Sequence, residues 1–228
     1  MAFSGGVDSA LLASISHHLK KQVTLITIGF SGSHDINFSK SVASKMAMDH
    51  IIHEIDYADF QENVQRIRQA INCENTSHIE NCIAFFYISR TAKQNHVNVV
   101  LSANGCDELF CSYDRCRSAY SQGGEKDIST LMEHNISNEF ALIKEIKIIA
   151  AQLGVRVIQP FLSSKFIQFA KSIPLDQKIR GSDDLIRKHI LRQIALDIGV
   201  PKESAMKPKK ALQYGSSIHK CCKKIERR

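Results

Sequence analysis

Short β-branched runs alternating with amphipathic stretches constrain this chain more than any other feature. Residues 22–28 (QVTLITI), 51–55 (IIHEI), 97–101 (VNVVL) and, more weakly, 155–158 (VRVI) have the length and composition of buried strands. Between them, residues 35–49, 60–71, 77–95 and 139–153 place apolar side chains at helical spacing, and 184–198 does so again beyond the last strand. Continuous apolar strands separated by helices imply a parallel sheet covered on both faces. The expected fold is therefore α/β: an open, doubly wound, mostly parallel sheet over about 1–120, a helical part over about 128–217 and a basic tail at 218–228. Loops are expected at 29–34 and 121–127, where glycine and polar residues cluster.

Composition excludes several classes. With 43% hydrophobic and 23% charged residues the chain is not a disordered one. No apolar run approaches the roughly 18 residues of a membrane-spanning helix. The start, MAFSGGVDSA, lacks the pattern of a secretory signal, and the final Arg-Arg is not a prenylation box, so the cytoplasm is the expected compartment. The net charge of +7 lies wholly in the last stretch, where Lys202 to Arg228 hold nine basic residues against Glu203 and Glu226. Residues 1–201 are neutral, so a nucleic-acid partner is disfavoured and the basic end reads as a solvated charge run. Seven cysteines, an odd number with no C-x-x-C, read as reduced thiols. The five-residue spacing of Cys106, Cys111 and Cys116 does not suit zinc.

The first motif with chemical content is Ser4-Gly5-Gly6-Val7-Asp8-Ser9. It lacks the spacing and lysine of a Walker loop. Its glycines still let backbone N–H groups approach an oxyanion, and the helix that follows presents its positive end to the same place. An aspartate inside such a loop would repel phosphate unless a cation lay between them, so Asp8 suggests Mg²⁺. The alternative is a turn in which Asp8 or Ser9 caps the helix.

This loop resembles the signature of the ATP-pyrophosphatase superfamily, whose members cleave ATP between its α and β phosphates. A second segment narrows the resemblance. Leu101-Ser102-Ala103-Asn104-Gly105-Cys106-Asp107-Glu108-Leu109-Phe110, with Tyr113, is similar to the L-S-G-[DE]-G-x-D-E-[LV]-F-G-G-Y segment of the synthetase domain of asparagine synthetases. Further matches follow in order. Ile28-Gly29 and Asp35 fit the second strand and its loop, and Gln159-Pro160-Phe161-Leu162 resembles V-P-F-L-D. Lys188-His189-Ile190-Leu191-Arg192 reproduces K-x-I-L-R, and Lys207-Pro208-Lys209 with Gln213 and Gly215 resembles R-x-K-x-x-x-Q-x-G.

The resemblance implies an adenine nucleotide alpha hydrolase-like fold and a set of roles. Phe3, Ile28, Ser102 and Ala103 would surround the nucleoside of ATP, with Gly105 beside them. Ser4, Gly5, Gly6 and Ser9 would hold the β and γ phosphates, and Asp8 and Asp107 would hold Mg²⁺. Lys209, Lys188 and Asp107 would carry the chemistry, Lys209 balancing charge on the pyrophosphate. The implied reaction converts aspartate, ammonia and ATP to asparagine, AMP and pyrophosphate.

The sequence departs from the family in three places. Position 2 is Ala2, not the cysteine nucleophile of a glutaminase domain, so nitrogen is expected as free ammonia or from a separate glutaminase subunit. Only Met1-Ala2-Phe3 precede the loop, fewer than a usual first strand. Asn104 stands where the family has an acid, and Ala103, Cys111 and Ser112 replace glycines. Asparagine keeps the shape of the acid but cannot act as a base. Two other readings stay open from the sequence: a tRNA-modifying enzyme of the same superfamily, and a non-catalytic ATP-binding partner subunit. An oligomer is compatible with all three.

Overall fold

In the computed structural model of the chain, which describes residues 1–71 and 73–227, five extended segments lie side by side. β1 (Leu25–Gly29) pairs parallel with β2 (His50–Glu54), and β3 (Val99–Leu101) pairs parallel with β4 (Arg156–Ile158). The segment Met1-Ala2-Phe3 joins the two pairs. The Ile26 amide donates to the Met1 carbonyl (2.8 Å), the Phe3 amide to the Ile26 carbonyl (2.9 Å), and the Ala2 amide to the Leu101 carbonyl (2.9 Å). These three residues thus occupy the central place in the sheet, between β1 and β3.

The helices are α1 (Val7–His18), α2 (His34–Lys45), α3 (Tyr57–Ala70), α4 (Thr76–Gln94), α5 (Cys106–Leu109) and α6 (Asp114–Gln152). They continue with α7 (Ser164–Ser172), α8 (His189–Asp197), α9 (Lys202–Ala205), α10 (Leu212–Gly215) and α11 (Ile218–Glu226). Strand side chains alternate between faces, and the core divides accordingly. Ile26, Ile28, Val100 and Val157 pack with Phe60 of α3, Ile83 and Tyr87 of α4, Ile146 of α6 and Ile218 of α11. Met1, Phe3 and Leu25 face the other way, onto Leu11 and Leu12 of α1, Val42 of α2 and Leu191 of α8. The expected doubly wound α/β fold is what forms. Among the described residues no helix is long and apolar enough to cross a membrane.

Three expectations need correction. The stretch 121–127 is helical, not a loop: α6 runs through it and bends at Gly124 (φ 61, ψ −136), which absorbs the kink that the Gly-Gly pair announces. Burial of Cys116 before the bend and Ile128 after it, in one cluster, holds both arms in place. The stretch 184–198 is helical only from His189, because Asp184 bonds backbone amides outside a helix. The basic end is not simply a solvated run. α11 buries Ile218 and Cys222, and Arg68 of α3 pairs with Glu226 at 2.8 Å; Arg228 lies outside the described residues. All seven cysteines are free, five of them buried, including Cys106, Cys111 and Cys116.

Candidate active site

A cleft of about 450 Å³ opens over the carboxyl ends of the strands, where ligands sit in open α/β sheets. Of the residues singled out from sequence, Phe3, Ser4, Gly6, Asp8, Ser9, Ile28, Ser102, Ala103, Gly105, Asp107, Lys188 and Lys209 all line it. Gly5 does not; it shapes the loop from beneath. Its φ of 71° is the left-handed conformation that glycine tolerates, and a Cβ there would come within 2.9 Å of the Phe38 ring. The Gly5 carbonyl accepts from Ser204 Oγ at 2.6 Å, which ties the loop to α9.

The loop leads directly into α1. Gly6 (φ −72, ψ 163) is the N-cap, and no side chain caps the first turn. The reading in which Asp8 or Ser9 caps the helix is therefore not the one realised. Ser9 Oγ instead donates to the Gly6 carbonyl (3.1 Å) and accepts from the Ser4 amide (3.3 Å), closing the loop on itself. The leading N–H groups of α1 stay free for an anion.

Gly105 (φ 96) turns the chain from β3 into α5, and a Cβ on it would meet Leu162 at 2.5 Å. That turn presents Asp107 to the cleft. Lys188 Nζ donates to Asp107 Oδ1 (2.5 Å) and to Asp8 Oδ2 (2.6 Å), so one ammonium bridges the two carboxylates. Lys209 Nζ donates to Asp107 Oδ2 (2.5 Å) and lies 4.8 Å above the Tyr113 ring, whose hydroxyl donates to Glu108. Burial alone would raise the Asp107 carboxyl, but Lys188 and Lys209 override it and hold it far below the usual range. Burial would likewise lower Lys188, 3% exposed, yet Asp107 and Asp8 hold it above the lysine norm.

Sequence reasoning missed how Lys188 is aimed. Arg187 and Lys188 both have positive φ (52° and 56°), which costs roughly 1–2 kcal/mol each for residues with a Cβ. Two devices stabilise this turn. Asp184 Oδ1 accepts from the amides of Ile186 and Arg187 (3.0 Å each), and Oδ2 from the Arg180 amide (2.9 Å). Burial opposes ionisation of Asp184, but these amides and His189 bring its carboxyl down to about 2. The buried Arg192 guanidinium donates to the carbonyls of Ile186, Arg187, Ala205 and Lys207, binding the Lys188 turn to the segment that carries Lys209. Lys207 is a further cation at the loop: Nζ donates to the Ser4 carbonyl (3.3 Å), and burial brings it down to about 8.

Asn104 is half-buried beside α6. Its Nδ2 donates to Glu139 Oε1 at 2.6 Å, and its Oδ1 accepts from Ser102 Oγ. Burial and the charge of Glu108 push the Glu139 carboxyl up to about 8, against the pull of the Asn104 bond. Glu139 and Asn135 also line the cleft, and neither was expected there from the sequence.

The chemistry of the donor set suits Mg²⁺. Asp8 and Asp107 offer hard oxygens on either side of one cation position, and Asp8 Oδ1 is buried without a partner. Among the described residues no cluster of three or more metal-ligating side chains occurs. Two carboxylates completed by phosphate oxygens are the usual way proteins bind this ion.

Parallel strands, an uncapped glycine loop at a helix start and a lysine-clamped acid pair define an α/β domain with a charged cleft over its strand ends. More particularly, the chain belongs to the asparagine synthase family, whose model matches residues 1–147 and 138–225. Its relatives include a protein of Methanocaldococcus jannaschii named as a glutamine-hydrolyzing asparagine synthetase (27% identity over 99% of this chain and 47% of that protein). The glutamine-hydrolyzing asparagine synthetases of Mus musculus (30%) and Gallus gallus (28%) match 93% of this chain and 38% of their own length. The chain thus spans less than half the length of the curated relatives it matches. Among solved structures, a "predicted subunit of tRNA methyltransferase" from Methanocaldococcus jannaschii aligns with TM-score 0.41 at 16% identity, over 92% of this chain and 91% of that one.

Proposed function

We infer that this chain is an ATP-dependent, AMP-forming ligase that activates a carboxylate and passes it to ammonia, with aspartate as the acid and asparagine as the product. The observation that carries the reading is the Asp107 carboxylate gripped by Lys188 and Lys209 beside the uncapped first turn of α1, which follows the glycine loop. Family membership supports it.

The chemistry follows from the charges. A free carboxylate is a poor acyl donor, because its leaving group would be oxide. Attack of the carboxylate oxygen on the α phosphorus of ATP forms an acyl-adenylate and expels pyrophosphate. The loop amides and the dipole of α1 would hold the β and γ phosphates. Lys209 and Lys188 would stabilise negative charge as it builds on the departing pyrophosphate. Phe3, Ile28, Ser102 and Ala103 would enclose the nucleoside. Asp8 and Asp107 would hold Mg²⁺, which supplies further charge neutralisation when bound. Ammonia then forms the C–N bond, the C–O bond to AMP breaks with its electron pair on AMP, and the proton lost by nitrogen passes to a base.

The test is release of AMP and pyrophosphate from Mg-ATP with ammonium, with and without aspartate. Aspartate-dependent AMP together with asparagine is expected. AMP formed only with another carboxylate would overturn the substrate, and no AMP despite ATP binding would overturn the ligase reading in favour of a non-catalytic nucleotide-binding subunit.

A further inference from the structure

The second half of α6 carries polar side chains where its buried stripe calls for apolar ones. Ile128, Met132, Ile136, Leu142, Ile143 and Ile146 are buried on that face, and Asn135 and Glu139 are buried among them, one turn apart. Buried amides normally find partners. Asn135, 2% exposed, does not: both its Nδ2 and its Oδ1 are buried without a hydrogen bond, and the residue lines the cleft. Glu139 accepts one bond, from Asn104, and among the described residues it has no ion-pair partner.

We propose that Glu139 and Asn135 form an amine subsite, in which the Glu139 carboxylate and Asn135 Oδ1 accept N–H bonds from the nitrogen of the second half of the reaction. The identity of that nitrogen rests on the ligase reading above. An ammonium group brings a positive charge and at least three N–H donors, and a carboxylate beside an amide oxygen answers both. An anion is disfavoured at this end of the cleft, because Glu108 and Asp107 face Glu139 while Lys209 is already bound to Asp107. The acid absent at position 104 is thus supplied from across the cleft, with the Asn104 amide holding it in place. A bound cation would draw the Glu139 carboxyl back to its ionised form. Two nitrogens share this chemistry: the α-amino group of an amino-acid substrate, and ammonia itself.

Calorimetric titration separates them without requiring turnover. L-aspartate, its desamino analogue succinate and methylammonium are titrated into the wild-type chain and into Glu139→Gln, which keeps the shape of the side chain. The expected result is a tenfold or greater loss of aspartate or methylammonium affinity with succinate unaffected. Loss for aspartate alone assigns the α-amino group, and loss for methylammonium assigns the ammonia position. Asn135→Ala, with its fold checked by circular dichroism, should weaken the same ligand. Equal affinities in wild type and Glu139→Gln, or no amine binding by the wild type, would overturn the subsite. Mg-ATP titrated in parallel reads the other proposal on its own: failure there with amine binding intact removes the nucleotide reading and leaves the subsite.

Discussion

Replacing Lys188 with methionine asks whether the bridged acid pair is a cation site in its own right. The ammonium is 3% exposed and donates to both Asp8 and Asp107, so its removal leaves two carboxylates facing each other across an apolar thioether. Breaking a buried ion pair from one side costs about 3–5 kcal/mol. The Asp8 and Asp107 side chains retain 20% and 25% exposure toward the cleft, and Lys209 still holds Asp107, which places the cost at the lower end, about 3 kcal/mol. For a domain of this size that is a fall in Tm of about 6–12 °C at pH 7. Mg²⁺ should reverse much of it, since the ion and the ammonium compete for the same oxygens. At one hundred times its Kd the ion adds about 2.7 kcal/mol. Differential scanning fluorimetry with and without Mg²⁺ reads both effects, and Lys188→Met should gain far more from the ion than wild type. The sign with pH is also fixed. The depressed Asp107 carboxyl contributes stability above the unfolded-state value near 3.8 that is lost as pH falls below it, so the gap between the two proteins should narrow in acid. Equal Tm values in the absence of Mg²⁺, or equal gains in its presence, would refute the reasoning.

Three further outcomes follow from the same geometry. Lys209→Ala should lower aspartate-dependent AMP release by about 10²–10³-fold with its circular dichroism spectrum unchanged; a rate within twofold of wild type would remove Lys209 from the chemistry. Gly105→Ala forces a Cβ to 2.5 Å from Leu162 at a φ of 96°, and should cost at least about 1–3 kcal/mol in urea unfolding, whereas a neutral effect would mean the β3–α5 turn relaxes freely. Because the Glu139 carboxyl sits near 8 in the folded chain against about 4.5 unfolded, the fold binds the extra proton and wild-type stability should decline as pH rises from about 5 to 8. Glu139→Gln should flatten that decline, and parallel curves for the two proteins would show that the group does not titrate in this range.

What could be read from the sequence was whatever is local. The strands at 22–28, 51–55, 97–101 and 155–158 were legible because burial on both faces demands unbroken apolar runs, and each forms within a few residues of its expected place. The glycine loop was legible from its Ser-Gly-Gly-Val-Asp-Ser pattern and Asp107 from the resemblance of the segment around it, and the glycines at 5 and 105 take φ values of 71° and 96° that few other residues tolerate. The start of α8 was not, since apolar spacing from 184 to 198 fits a helix and only the tertiary bonds of Asp184 and Arg192 show why the first turn unwinds. That unwinding is what delivers Lys188 into the cleft. A signal for it existed in Arg192, a guanidinium on a buried helix face, which four carbonyls had to satisfy.

The same logic explains why the α6 side of the cleft went unread. Extended back from 139 to 128, the apolar stripe of Ile128, Met132, Ile136, Leu142 and Ile146 is broken by Asn135 and Glu139, and a glycine pair upstream makes the segment look like a loop. Polar residues on a buried stripe cost about 1–3 kcal/mol each when unsatisfied, so a fold retains them where something else is gained. Asn104 is the other half of that observation. Alone, it is an acid position that has lost its proton acceptor; set 2.6 Å from Glu139, it becomes the donor that orients a carboxyl reaching in from another helix. If that pairing is what preserves the chemistry, Asn104→Asp should be worse than neutral, because it places a second negative charge against Glu139 in a site already holding Glu108 and Asp107. Aspartate-dependent AMP release should then fall in Asn104→Asp and recover in part when Glu139→Gln is added. A gain of activity in the single variant would show instead that position 104 needs its acid back and that Glu139 does not stand in for it.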